Sequence, residues 1–276
     1  MNKLSLLIKV SRPIAWIIAP IVFLASMYIA SASFSWQSIV QIVLLSFPFC
    51  ILLYGINDVY DYKSDKINFR KGYLEGLKLG KFERNYIAKW SYVIIIVLLL
   101  SSILTLNLTN IFGMILLLFA SYFYSAPPIR FKTIPIVDSL SNGVIFIAVA
   151  ILGFSFGGSI IDFPVGAYFV ALCVSAMHSI AAVCDYLPDK KANHRTIAVF
   201  LGKRFAIAFS IFLFIVVYFF SHFQSIIIKY YLLYCIALCT ILFFKPERRL
   251  ARLVFYLLYA GFIFYVFLFI LFKFFV

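Results

Sequence analysis

Nine apolar runs, most of them long enough to cross a bilayer, decide what this chain can become. They fall roughly at residues 14–32, 38–56, 87–106, 109–124, 138–156, 164–184, 204–221, 226–243 and 252–275, the fourth being short. About twenty apolar residues in a helix span a hydrocarbon core about 30 Å thick. A membrane β-barrel would instead show short segments of alternating polarity, and these runs are continuous. The sequence therefore predicts an all-α fold, a polytopic membrane bundle of about nine transmembrane helices, in a single membrane domain over residues 1–276. Composition agrees: 65% of the residues are hydrophobic and only 12% charged, where a soluble domain carries about a quarter.

The net charge of +14 raises the question of nucleic acid, and its distribution answers it. With the runs threaded through a membrane, all of the 24 Lys and Arg except Lys229 and Lys273 fall on one side. The positive-inside rule places that side, and the N-terminus with it, in the cytoplasm. The charge reads as topology with some attraction for a diphosphate, and nucleic acid is not expected as a partner. The expected location is the cytoplasmic membrane, crossed many times.

The N-terminus imitates a signal peptide: Lys3, Lys9 and Arg12, an apolar run, then Ala30-Ser31-Ala32. The run is as long as a full span and carries Pro13 and Pro20, so a retained helix is expected. The five cysteines lie in or at the ends of the runs and imply no disulfide framework. Cys235 and Cys239 share a helix face, which reads as small apolar packing.

Carboxylates are expensive at the end of an apolar run unless something cationic compensates them. The second run ends in Asn57-Asp58-Val59-Tyr60-Asp61-Tyr62-Lys63-Ser64-Asp65. On a helix Asp58, Asp61 and Asp65 project from one face, and Asn57 reaches the same edge. Downstream, Asp185 and Asp189 are spaced i, i+4 and again share a face. Such rows of hard oxygen ligands suit Mg²⁺, which keeps some waters and completes its shell with substrate phosphates.

The residues around these rows carry paired readings. Arg12 either snorkels to headgroups or lines a cavity mouth. The basic stretch after the first row, with Arg70 and Lys71, is either a solvated loop or a lid over a bound diphosphate. Run four ends at Tyr122-Phe123-Tyr124, two prolines stop the helix, and Arg130 and Lys132 emerge on the basic side. Asp138 and Asn142 either form a polar edge or satisfy their own helix end. His178 lies two turns ahead of Asp185 on the same face, either as a functional group or as a hydrogen bond between helices. Lys190, His194, Arg195 and Thr196 follow the second row, with Lys203 and Arg204 as interface anchors. The last three runs read as scaffold, and the turn from Lys245 to Arg249 as an anchor and no more.

An internal repeat shows in the layout. Each acidic row follows the second helix of a four-helix set, runs one to four and then five to eight. An even number of spans per set makes the copies parallel, so the two rows are expected at one cytoplasmic mouth. The ninth run is extra.

The motifs Asn57-Asp58-x-x-Asp61-x-x-x-Asp65 and Asp185-x-x-x-Asp189, set in nine spans, resemble those of the UbiA-type intramembrane prenyltransferases. Within them the chain is most similar to the lycopene elongases of carotenoid biosynthesis. That narrower likeness rests on Asn57 to Tyr62 with Asn68-Phe69-Arg70-Lys71-Gly72, on Tyr124 to Lys132 with Asp138 to Gly143, and on Met177-His178-Ser179 with Asp185, Asp189 and Arg195-Thr196. It covers about residues 11 to 204. The resemblance implies a prenyltransferase using Mg²⁺, held by Asn57, Asp58, Asp61 and Asp65 and by Asp185 and Asp189. It implies a diphosphate bound by Arg70, Lys71, Tyr124, Arg130, Lys132, Lys190 and Arg195. Arg12, Asn142 and His178 would face the substrates, and His178 would join the aspartates in catalysis. The donor would be an allylic prenyl diphosphate and the acceptor a lipophilic molecule, lycopene foremost.

Three rivals share the same rows. A prenyltransferase acting on an aromatic quinone precursor, or on a lipid ether, would differ only in its acceptor pocket. A cation or proton transporter would place its carboxylates near the midplane, whereas these sit at one membrane edge beside basic loops.

Overall fold

The computed structural model describes residues 2–62, 65, 77–221, 223 and 225–275, with side chains through 262 and at 264, 265 and 268. Among the described residues every regular element is helical. Seven helices are long and apolar enough to cross a membrane, or eight if one bent pair counts as a single span. The chain is a multi-pass helical membrane protein. The ninth expected run falls on the 28-residue helix Arg248–Phe275, outside that count.

One expected span is preceded by a separate helix and another is interrupted, each for a local reason. Run one forms α2 (Ile18–Ile29), and α1 (Lys3–Val10) lies ahead of it with a 52° bend between the two. Arg12 takes a left-handed φ of 52° at the break, and Pro13 opens a single 3₁₀ turn, since it has no N–H to continue α1. Run two becomes α3 (Trp36–Leu45) and α4 (Phe47–Tyr60). Ser35 and Ser38 bond reciprocally to each other's backbone or side chain to start α3, and Pro48 sits in the first turn of α4. Then come α5 (Lys81–Ile103), α6 (Leu108–Ser125) and α7 (Val137–Phe154).

Two compact units emerge. The first holds residues 1–131 and 144–163, the second 132–143 and 164–276. The division between them falls inside α7, whose residues from Val144 onward pack with the first unit.

The core of the first unit gathers Phe23, Leu45, Leu52, Ile56, Leu98, Met114, Leu117 and Leu152. Phe23 is wholly buried because Gly153 lets α7 close on α2; a Cβ at 153 would collide with the Phe23 carbonyl. Between these helices lies a buried polar cluster. Gln41 Nε2 donates to Asn110 Oδ1 at 2.8 Å, Asn110 Nδ2 donates back to Gln41 Oε1 at 3.1 Å, and Ser102 and Ser155 complete the set. Such bonds inside a membrane bundle contribute about 0.6 kcal/mol each and fix helix register.

The second unit continues with α8 (Val165–Cys184), α9 (Tyr186–Lys191), α10 (Ile197–Phe200), α11 (Lys203–Phe220), α12 (Ile226–Phe244) and α13 (Arg248–Phe275). Ile180, Ile197, Ile207, Phe214, Leu232 and Leu242 form its core. Two serines stitch α8 to α11: Ser179 Oγ donates to the Ala206 carbonyl and Ser210 Oγ to the Ala176 carbonyl, both at 2.8 Å. The five cysteines are free thiols.

Candidate active site

The first acidic row is built by the end of α4. The helix stops at Tyr60, with Asp61 as its cap, and the Asp65 amide bonds the Asp61 carbonyl at 2.9 Å. Asp58 is wholly buried, and Asp61 and Asp65 are 5% and 4% exposed, which fits the shared face expected from their spacing. Burial at this density demands compensation.

Two arginines provide it from far along the chain. The turn at Arg12 folds its guanidinium inward, 4.3 Å above the Tyr54 ring, with Nη2 3.3 Å from Asp58 Oδ1. That inward course replaces the snorkelling alternative. The other Asp58 oxygen accepts from the Leu77 amide at 3.2 Å. Arg130, itself at a positive φ of 52° after the helix-stopping prolines, places Nη2 3.0 Å from Asp61 Oδ1. Burial lowers the Arg130 pKa below the ordinary arginine value. The Asn57 amide donates to Ser125 Oγ at 3.2 Å, and Tyr124 is half-buried in the last turn of α6. Arg70 and Lys71 lie outside the described residues.

In the second unit Asp185 caps α8, and the Asp189 amide bonds the Asp185 carbonyl at 3.0 Å, so the i, i+4 relation is realised in α9. Asp189 Oδ1 lies 3.3 Å from His194 Nδ1. Lys190 and Lys203 both approach the Tyr186 ring, at 5.7 and 4.8 Å, and Arg195 lies 4.4 Å above the Phe200 ring. Lys132 is buried. His178 Nδ1 is 3.4 Å from Ser139 Oγ. Asn142 Nδ2 donates to the Asp138 carbonyl one turn back in its own helix at 3.0 Å.

Sequence reasoning passed over two residues here. His194 was only one of several polar residues after the second row, and nothing in its spacing announces a bond to Asp189. Arg248 was dismissed with its turn as an anchor, yet its Nε donates to the Cys184 carbonyl at 3.3 Å, beside Asp185. Only the folded second unit reveals that contact, because the two residues are 64 apart in sequence.

The donor chemistry fits a hard divalent cation: carboxylate oxygens dominate, with an amide oxygen in the first row. Among the described residues no three His, Cys, Asp or Glu side chains are gathered closely enough to hold a metal by themselves.

The fold and site are those of a membrane bundle that pairs buried carboxylates with arginines at the end of a helix. The chain belongs to the UbiA prenyltransferase family, whose pattern it matches over residues 18–254, and it is a prenyltransferase. It is 34% identical over 227 residues to a lycopene elongase/hydratase from Corynebacterium glutamicum, covering 78% of this chain and 76% of that one. It is 31% identical over 203 residues to the C(50) beta-cyclic carotenoids biosynthesis protein LbtBC of a Dietzia species, covering 73% of this chain and 47% of that relative's length. The fold is similar to that of a UbiA homolog from Archaeoglobus fulgidus bound to DMAPP and Mg²⁺, with a TM-score of 0.67 at 21% identity over 92% of this chain and 98% of that one.

Proposed function

We propose that this prenyltransferase moves an allylic group, dimethylallyl in the first instance, from its diphosphate to lycopene, and that it needs Mg²⁺ to do so. The observation that carries the diphosphate half is the pairing of buried Asp58 and Asp61 with Arg12 and Arg130. Carboxylates and guanidiniums interleaved in this way can exchange partners when an anion and its cations arrive together. The acceptor half is supported by the lycopene elongase relatives, 34% identical in the Corynebacterium glutamicum case.

Asn57, Asp58, Asp61 and Asp65 would hold one Mg²⁺, and Asp185 and Asp189 another. When bound, the ions supply Lewis-acid stabilisation of the departing pyrophosphate. Arg12 and Arg130 neutralise diphosphate oxygens, as do Lys132, Lys190 and Arg195. The allylic C–O bond breaks, pyrophosphate leaves with the bonding pair, and the carbocation is held among aromatic faces with water excluded. An alkene carbon of the acceptor attacks that cation. The cation left on the adduct either gives a proton to His178 or to water, or captures a water molecule that then gives up a proton in the same way. A forty-carbon polyene is about as long as the hydrocarbon core is thick, roughly 30 Å, so it reaches the enzyme through lipid. His178 helps to position the reacting end of the acceptor, and His178→Ala lowers transfer more than diphosphate binding.

The protein lies in the cytoplasmic membrane with its N-terminus and both acidic rows on the cytoplasmic side. Cysteines introduced at Lys78 and Lys245 react with an impermeant thiol reagent only from the cytoplasm, and one at Asp162 only from outside; the reverse pattern overturns the orientation. The reaction is tested with purified protein in lipid vesicles holding lycopene. Pyrophosphate appears from dimethylallyl diphosphate only with both Mg²⁺ and lycopene present. Release that is indifferent to Mg²⁺ refutes the metal role, and release with an aromatic acid but not with lycopene refutes the acceptor.

A further inference from the structure

Asp138 is the one buried carboxylate outside the two acidic rows among the described residues, at 1% exposure. It belongs to the first turn of α7, and a carboxylate there needs a strong donor to offset its desolvation. The donor is the Ile197 amide, which bonds Asp138 Oδ2 at 2.7 Å. Ile197 opens the four-residue helix α10, whose own cap residue Thr196 makes no side-chain capping bond. Asp138 therefore satisfies from another helix a backbone donor that the local sequence leaves open. Its neighbour Ser139, also wholly buried, meets His178 Nδ1 at 3.4 Å.

These two contacts bracket the second acidic pair. One grips α8 upstream of Asp185, and the other grips the chain downstream of Asp189, past His194 and Arg195. The stretch between them contains α9 and the turn in which the His194 amide bonds the Asp189 carbonyl at 2.9 Å. From this bracket we infer that Asp138 is a positioning residue, which sets the limb from Asp185 to Thr196 for diphosphate binding without touching the substrate itself. The inference rests on the proposed diphosphate chemistry and adds a residue to it. The role needs an acceptor oxygen at this point and not a negative charge, because the partner is a neutral amide.

The test compares Asp138→Ala with Asp138→Asn in the purified full-length protein. Hydrogen–deuterium exchange is read first, without substrate. The Ala variant exchanges the Ile197 amide at least tenfold faster than wild type, and the Asn variant, which keeps an oxygen at the same place, stays within about threefold. Kinetics follow: Ala raises the KM for dimethylallyl diphosphate about tenfold with kcat changed less than threefold, and Asn restores the wild-type KM. Unchanged exchange at Ile197 in the Ala variant overturns the inference whatever the substrate proves to be. Equal losses in Ala and Asn overturn it too, since the charge itself would then be what matters. If Ala does not fold, a fully active Asn variant with a protected Ile197 amide supports the positioning role, and an Asn variant that loses diphosphate binding refutes it. A wild-type protein that does not consume the diphosphate refutes the parent reading instead, and the exchange comparison still decides the role of Asp138.

Discussion

The two acidic rows solve the same electrostatic problem by different means. Asp58 is wholly buried and Asp61 nearly so, and their cationic partners come from 46 and 69 residues away. Asp189 keeps 19% of its side-chain surface exposed, and its partner His194 lies five residues on. A buried carboxylate requires a counter-charge or strong hydrogen-bond donors that the fold must deliver, whereas water helps to support an exposed one. The first row is thus a tertiary construction whose counter-charges come from distant parts of the chain. The second is a local one, to which the fold adds Arg248 at the carbonyl beside Asp185.

That contrast orders the consequences of substitution. Asp58→Asn removes the most deeply buried carboxylate of the first row and is expected to lower turnover by well over tenfold at saturating Mg²⁺, more than about 1.4 kcal/mol of transition-state stabilisation, with the membrane-inserted amount unchanged. Activity above a tenth of wild type would refute its assignment as a ligand. Asp185→Asn behaves likewise if both rows serve the chemistry, and a mild effect there would confine catalysis to the first row.

Arg130→Ala comes next. It leaves Asp61 buried without its guanidinium, so thermal stability in detergent falls and the KM for the diphosphate rises about tenfold, the equivalent of about 1.4 kcal/mol. Lysine at 130 recovers part of both losses, since it restores charge but not the planar donor. A variant as stable as wild type would show that the first row does not depend on its distant partner. The smallest effect belongs to His194→Ala, about threefold on KM, because solvent can replace the imidazole at a partly exposed oxygen. A loss as large as that of Arg130→Ala would erase the distinction between the rows.

How much of this was legible in the sequence follows the same division. Helical class and the membrane follow from run length alone, because lipid leaves few alternatives. The carboxylate rows could be read because their spacing is a property of one helix. The bend ahead of run one and the interruption of run two escaped, although Pro13 was in view, because a proline in a first turn is equally at home in a straight helix. The inward turn of Arg12 depends on a left-handed residue that no pattern announces. Arg248 and His194 were missed for a related reason: a basic residue near a membrane edge has an ordinary explanation, and only the packing of the second unit supplies another. The division inside α7 was also hidden, since the helix itself is continuous and its two ends differ only in what they touch.

The central claim is that an allylic group is transferred to a polyene, and the most direct measurement is made in a host that accumulates lycopene. Expression of this chain should convert lycopene into carotenoids longer by one or two five-carbon units at their ends, and the Asp58→Asn variant should leave lycopene untouched. Lycopene that passes through unchanged while an aromatic acid such as 4-hydroxybenzoate becomes prenylated would contradict the account.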